Sequence, residues 1–207
     1  DLMVRTGEID NPLVHATESM NVKRCVAALL KESKRPIQVH WLYGSKGTGK
    51  SHFAEAQCSL ANQPVYRKDA ATKWWEHYMG HPLVIIDELR TLIRMYHLLR
   101  WFDIWPFKVE YKGGAMPACW HTVYVTTNLA PSEWFNLMLN ASAADECDRE
   151  PFYTRLTTVR KFFRGNVSRH SNEEPNIVYT DVYGNKITEN DPVFPDRCLK
   201  MLDNPSA

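Results

Sequence analysis

The chain is poor in several features that would mark it out by class. Its five cysteines, Cys25, Cys58, Cys119, Cys147 and Cys198, form no CxxC pair and are odd in number. That excludes a zinc knuckle and a secreted disulfide framework, and predicts a reducing compartment. No apolar run reaches membrane-spanning length, and no basic-then-apolar signal opens the chain, so a soluble protein without a membrane is expected. Net charge is only +1, so there is no global basic field, and any nucleic-acid site must be local. Internal repeats and low-complexity tracts are absent. What remains is an ordinary globular balance, 44% hydrophobic and 24% charged over 207 residues, enough for one sizeable core with a small appendage. The first residue is Asp1 rather than Met, which hints at a fragment.

Hydrophobic spacing divides the chain into alternating elements. Apolar residues at 22, 25, 26, 29 and 30 predict a helix over Asn21 to Lys34, ended by Pro36. "IQVHWLYG" reads as a strand and "SHFAEAQCSLA" as the helix after it, with a short strand near Pro64 to Tyr66. "PLVIIDE", 82 to 88, is the near-continuous apolar run of a strand buried on both faces. Helix is expected from Leu89 to about Phe102 and a hairpin arm at "FKVEYKGG". A strand follows at "HTVYVTTN", then a helix over "SEWFNLMLNASAAD" opened by Ser132 as its cap. A last strand is expected in "RLTTVRKFF", and a weak one at Ile177 to Tyr183. Strands alternating with helices predict an α/β fold, a mostly parallel sheet flanked by helices.

The informative stretch is "YGSKGTGKS", residues 43 to 51, set between a strand and a helix. Gly44, Gly47 and Gly49 let the backbone curl so that successive N–H groups point inward at a phosphate. Lys50 is placed for the β- and γ-phosphates of ATP and Ser51 for Mg²⁺. Asp87, 37 residues after Lys50 and at the end of a buried strand, is placed to complete the Mg²⁺ shell. Glu88 beside it can orient and polarise a water. An Asp-Glu pair alone could equally cap a helix. Asn128, at the end of the next strand, can bond a γ-phosphate and an attacking water, although Asn after a strand is ordinarily a turn residue.

The order GSKGTGKS, LVIIDE, EYKGGAMPACWHTVYVTTN resembles the superfamily 3 helicase domain of replication initiator (Rep) proteins from small circular single-stranded DNA viruses, the circovirus-like group above all. The likeness covers about residues 36 to 165. "KWWEHYMG", "VEYKGG" and "NLAPSEWF" are its most specific parts. The resemblance implies a P-loop AAA+-type ATPase that forms a homo-oligomer, a hexameric ring, and tracks single-stranded DNA in the host nucleus. It makes Gly44, Gly49, Lys50 and Ser51 the Walker A residues, Asp87 and Glu88 Walker B, and Asn128 the sensor. It puts Lys112 and Gly113 in a channel-facing loop as DNA contacts. "FYTRL" resembles the arginine-finger segment, with Arg155 reaching a neighbour's ATP; Arg160 and Arg164 are nearby competitors. Residues 1–35 then correspond to a linker and small N-terminal helical oligomerisation element, 36–165 to the ATPase domain, and 166–207 to a tail without a counterpart. The family's full-length proteins add an N-terminal endonuclease domain with a His-hydrophobe-His metal pair and a Tyr-x-x-Lys nucleophile. His77 and His81 stand too far apart for that pair, and the expectation is that no tyrosine is followed by lysine three residues later, so nicking by that chemistry is not expected of this chain.

Other readings remain open at the level of sequence. A small-molecule P-loop kinase would use Arg149, Arg155, Arg160 and Arg164 as a lid over its acceptor. An assembly module would use ATP only to hold a ring. RNA could replace DNA, since a loop that follows the backbone reads no 2′-hydroxyl. Trp74 and Trp75 could stack on bases, but packing is the expected role.

Overall fold

The computed structural model describes residues 34–90, 93–164 and 177–187. The predicted helix over Asn21 to Lys34 falls outside them except at Lys34. Within them the chain builds a six-stranded sheet in the order β2-β3-β6-β1-β7-β8. Its strands are β1 Gln38–Gly44, β2 Val65–Lys68, β3 Leu83–Ile86, β6 Thr122–Thr127, β7 Thr158–Phe162 and β8 Ile177–Tyr179. The first five named run parallel, and β8 adds antiparallel to β7. Part of the expected tail therefore completes the main sheet. A separate hairpin, β4 Lys108–Tyr111 and β5 Gly114–Pro117, stands beside it.

The period of two along β1 sorts the core into two layers. Val39, Trp41 and Tyr43 join one cluster with Trp134, Phe135 and Phe152. Leu42 joins the other, with Ala54, Ile85 and Phe162. Helix α1, Lys50–Leu60, covers the second face, while α2 Met95–Trp101, α3 Pro131–Asn140 and α4 Arg149–Thr154 gather on the first. An aromatic nest fills the ground between sheet and hairpin. Trp75 lies flat on Trp120, centroids 4.2 Å apart, and Trp101 meets it edge-on at 5.1 Å. Trp75 is thus a core residue. Trp74 is half-buried, with the Lys73 ammonium 4.5 Å from its ring.

Three local expectations change. The helix expected from Leu89 begins only at Met95, because Leu89 is held to β6: its N–H donates to the Thr126 carbonyl, and its own carbonyl accepts from Thr127 Oγ1. Helix α3 starts one residue ahead of Ser132. Its cap is Ala130, whose N–H donates to the Glu133 carboxylate at 2.9 Å, with Pro131 in the first turn. The same helix stops at Asn140, where Ser142 turns into positive φ. The strand expected over Ile177 to Tyr183 ends at Tyr179, since the Asp181 carboxylate collects the N–H groups of Tyr183 and Asn185 into a turn.

His40 sits in the middle of β1 under Tyr124, with Nδ1 2.8 Å from Thr158 Oγ1. Burial, and secondarily the Arg160 charge, lowers its pKa from 6.5 to about 3. The unfolded chain binds the proton first, so the fold loses stability as pH falls from 6.5 toward 3. The expected slope is up to about 1.4 kcal/mol per pH unit from this residue. Urea midpoints at pH 7, 6 and 5 should fall less steeply in His40→Gln than in wild type; parallel falls would remove His40 from the acid response.

Candidate functional site

In a parallel sheet the carboxyl ends of the strands gather where the connections diverge, and ligands bind there. Here β1, β3 and β6 end together. From β1 the chain crosses to the β2 edge, and from β6 it returns on the other side of β1 to form β7. The residues at these ends surround a cleft of about 570 Å³ that includes the glycine loop, Glu88 and Asn128.

The loop's shape follows from its glycines. Gly44, Gly47 and Gly49 all have positive φ, at 138°, 78° and 89°. At Gly44 a side chain is also excluded sterically, because a Cβ would lie 2.2 Å from the Phe162 carbonyl oxygen of β7. At Gly49 nothing lies within 4 Å. Helix α1 begins at Lys50, so its first N–H groups face the loop interior.

Lys50 is buried, and its ammonium donates to the Gly44 carbonyl at 2.7 Å, the Ser45 carbonyl at 2.9 Å and Asn128 Oδ1 at 3.3 Å. Burial pulls its pKa below the usual lysine value, against the opposing pull of Asp87 and Glu88. Ser51 Oγ donates to Asp87 Oδ1 at 2.7 Å. Thr126 Oγ1 donates to the same oxygen and accepts the Glu88 N–H at 2.9 Å. Glu88 itself has φ 48°, a left-handed backbone, and its carboxylate meets Arg90 at 3.2 Å on the open side. The sequence-derived set Gly44, Gly47, Gly49, Lys50, Ser51, Asp87, Glu88 and Asn128 is therefore one contiguous site.

Thr126 escaped the reading of the sequence, although paired threonines at the end of a buried strand were a visible signal. So did Leu89, Trp134 and Leu137, which give the cleft its apolar wall. Two spacings also correct an expectation: Tyr43 with Lys46 and Tyr183 with Lys186 do stand as Tyr-x-x-Lys. Tyr43 is 3% exposed in β1 and its hydroxyl lies 3.1 Å from Thr180 Oγ1, inside the fold, while Tyr183 stands in the turn closed by the Asp181 carboxylate.

Three predicted residues lie away from the cleft. Lys112 and Gly113 form the two-residue tip of the β4–β5 hairpin, both exposed, with Gly113 at φ 98°. The tip rests on the "KWWEHYMG" segment: Glu76 Oε1 accepts the Lys112 N–H at 3.0 Å, and the Glu110 carbonyl accepts the Trp75 N–H at 2.9 Å. Arg155 follows α4 at the opposite end of the sheet, where Thr157 bonds the Val39 carbonyl. Five residue steps along β1 lead from Val39 to Gly44, roughly 17 Å. Arg155 pairs with Asp103 at 2.9 Å and donates to the Pro151 carbonyl at 2.8 Å. Burial would raise the Asp103 pKa, but the Arg155 hydrogen bond and neighbouring N–H groups bring it below the usual value.

The four arginines of the kinase-lid reading do not gather. Arg149 bonds Glu146 and Asn136, Arg155 bonds Asp103, and Arg160 lies between the Phe53 and Tyr179 rings. Only Arg164 approaches the loop.

A glycine loop, paired carboxylates and a strand-end Asn at the carboxyl ends of a parallel sheet define the domain as P-loop NTPase in type. Residues 40–129 match the protein-family model described as RNA helicase. The chain is 32% identical over 158 residues to the Replication-associated protein of Porcine circovirus 1, covering 73% of this chain and 47% of that protein. Identity and coverage are the same for the Replication-associated protein of Porcine circovirus 2. The chain thus spans about half the length of the curated relatives it matches. Among solved structures, NtrX from Brucella abortus in complex with ATP aligns at 17% identity and TM-score 0.36, over 72% of this chain and 37% of that one. This chain carries a superfamily 3 helicase-type domain and is a homologue of the circovirus replication-associated proteins. No helix among the described residues is long and apolar enough to cross a membrane.

The two glycines predict different costs. Gly44→Ala combines a strained φ with a clash against backbone and should cost at least about 2 kcal/mol of unfolding free energy. Gly49→Ala meets open space and should cost roughly half that, from φ alone. Urea denaturation of the two variants measures the difference; equal losses would mean that β7 yields at Gly44.

Proposed function

We propose that the chain is the ATP-hydrolysing motor part of a viral replication initiator, a ring-forming translocase on single-stranded DNA. The observation that carries this reading is the convergence of Lys50, Ser51, Asp87, Glu88 and Asn128 in one cleft at the strand ends. The loop N–H groups and Lys50 receive the phosphates of ATP, the ammonium exchanging backbone carbonyls for phosphate oxygens. The Ser51 hydroxyl and Asp87 carboxylate, already 2.7 Å apart, are hard oxygen donors that fit Mg²⁺. When bound, Mg²⁺ supplies positive charge against the phosphate oxygens. Asn128 and Glu88 hold the attacking water, with Glu88 as acceptor for its proton. Thr126 holds the Asp87 carboxylate and the Glu88 backbone.

Two further roles complete the motor. Arg155 lies too far from the loop of its own chain to serve it, which supports a role in a neighbouring subunit's site. There its guanidinium meets the charge that develops on the transferred phosphate. The exposed Lys112 tip supports contact with a DNA phosphate, which positions a strand without reading it. One such tip from each of six subunits would concentrate positive charge that a net charge of +1 does not reveal. An N-terminal endonuclease domain in the full-length protein and a nuclear site in the host belong to the same proposal.

The test is the ATPase rate with and without single-stranded DNA over a range of protein concentrations. A DNA-stimulated rate that climbs steeply with concentration is expected; a flat rate indifferent to DNA would sink the motor reading. Lys50→Ala should abolish hydrolysis, and Lys112→Ala should lose the DNA-stimulated increment. Arg155→Ala should be inactive alone but regain activity when mixed with Lys50→Ala, because a mixed interface combines an intact loop with an intact finger. No recovery in such mixtures would confine Arg155 to its Asp103 pair.

A further inference from the structure

Among the described residues, Lys46 belongs to the phosphate loop itself, and Arg164 is the arginine that approaches the loop from outside it. The register of β1 and β7 ends with Gly44 opposite Phe162, where the two backbones touch too closely for any side chain on Gly44. The chain leaving β7 therefore emerges alongside the loop. Two residues on, the Arg164 guanidinium lies over the loop's crest, with Nη2 3.5 Å from where a Cβ on Gly47 would be.

Arg164 is exposed and has no carboxylate or hydrogen-bond acceptor among the described residues. Most of the other described arginines are engaged: Arg35 with three backbone carbonyls, Arg67, Arg90, Arg149 and Arg155 with carboxylates, and Arg100 and Arg160 with aromatic rings. The cleft between β7 and the outer flank of the loop, about 330 Å³, also presents Lys161, whose ammonium, among the described residues, faces the Tyr43 and Phe163 rings. Its one carboxylate, Glu133, is already engaged by the Ala130 N–H. A polyphosphate in the loop would bring several further anionic oxygens to this flank, and guanidinium forms bidentate bonds to phosphate oxygens.

We propose that Arg164 is a nucleotide-phosphate contact acting within its own chain, distinct from the finger that serves a neighbour. It closes over the crest of the loop when the nucleotide enters and bonds phosphate oxygens from the side opposite Asp87. The proposal rests on the reading of the loop as a nucleotide site, and the experiment keeps the two apart.

Binding of ATP and GTP is measured by titration calorimetry on the wild-type chain, Arg164→Ala, Arg164→Lys and Lys50→Ala. Arg164→Ala should weaken both nucleotides by the same factor, about tenfold, and Arg164→Lys should recover part of the loss. Unchanged affinity in Arg164→Ala, or a loss confined to one of the two bases, would overturn the phosphate contact. Wild type that binds neither nucleotide would instead overturn the reading of the loop. Mixing separates cis from trans: Arg164→Ala with Lys50→Ala should show no recovered hydrolysis, unlike the Arg155→Ala mixture. Recovery would make Arg164 a trans residue and end the proposal.

Discussion

The contact on which the rest is built is the one between two backbones, Gly44 of β1 and Phe162 of β7. β1 is the middle strand, paired on both sides, and it must stay paired to its last residue for the loop to begin at a fixed height. Only a residue without Cβ can sit against the Phe162 carbonyl. That fixes the loop against β7 on one side, while β6 brings Thr126 and Asn128 to it from the other. Asp87, just past β3, then receives the Ser51 and Thr126 hydroxyls on one carboxylate oxygen. Thr126 and Asn128 are one strand removed from the glycine, and Asp87 and Glu88 two.

The electrostatics of the cleft follow from this compression. Lys50 is short of water, which weakens its hold on the proton, but the two carboxylates and three oxygen acceptors keep a charged lysine favourable. The ammonium is thereby held in place before any ligand arrives. Exchange of carbonyl for phosphate oxygens requires no large movement, and the reorganisation cost is small. The apolar wall of Leu89, Trp134 and Leu137 lowers the local dielectric and strengthens every charge pairing in the cleft.

The sheet and the loop were legible from local chemistry alone. A strand, three glycines, Lys-Ser and a helix leave little choice of shape, and the run LVIIDE can lie only inside a parallel sheet. The pairing of Trp75 with Trp120 was not legible, because forty-four residues, a hairpin among them, lie between the two and no period links them. The late start of the helix at Met95 was hidden for a similar reason. Leu89 looks helical in its own neighbourhood, but two hydrogen bonds to β6 override that preference. Thr126 was missed because a threonine in a strand is ordinary; its importance lies in facing Asp87, a fact of strand order. Arg164 stood in the sequence only as one of several arginines, and its place over Gly47 comes from the β1–β7 register.

Strand β8 carries a consequence for how the domain can be made. It is drawn from beyond residue 165, yet it covers the outer edge of β7, the strand that braces the glycine loop. During synthesis the rim of the sheet stays open until Tyr179 has left the ribosome, and for that interval β7 offers unpaired N–H and C=O groups to any passing strand. A shortened protein ending at residue 165 would hold that vulnerable edge permanently. The stretch that looked like an appendage is therefore what shields the brace of the phosphate loop from mispairing.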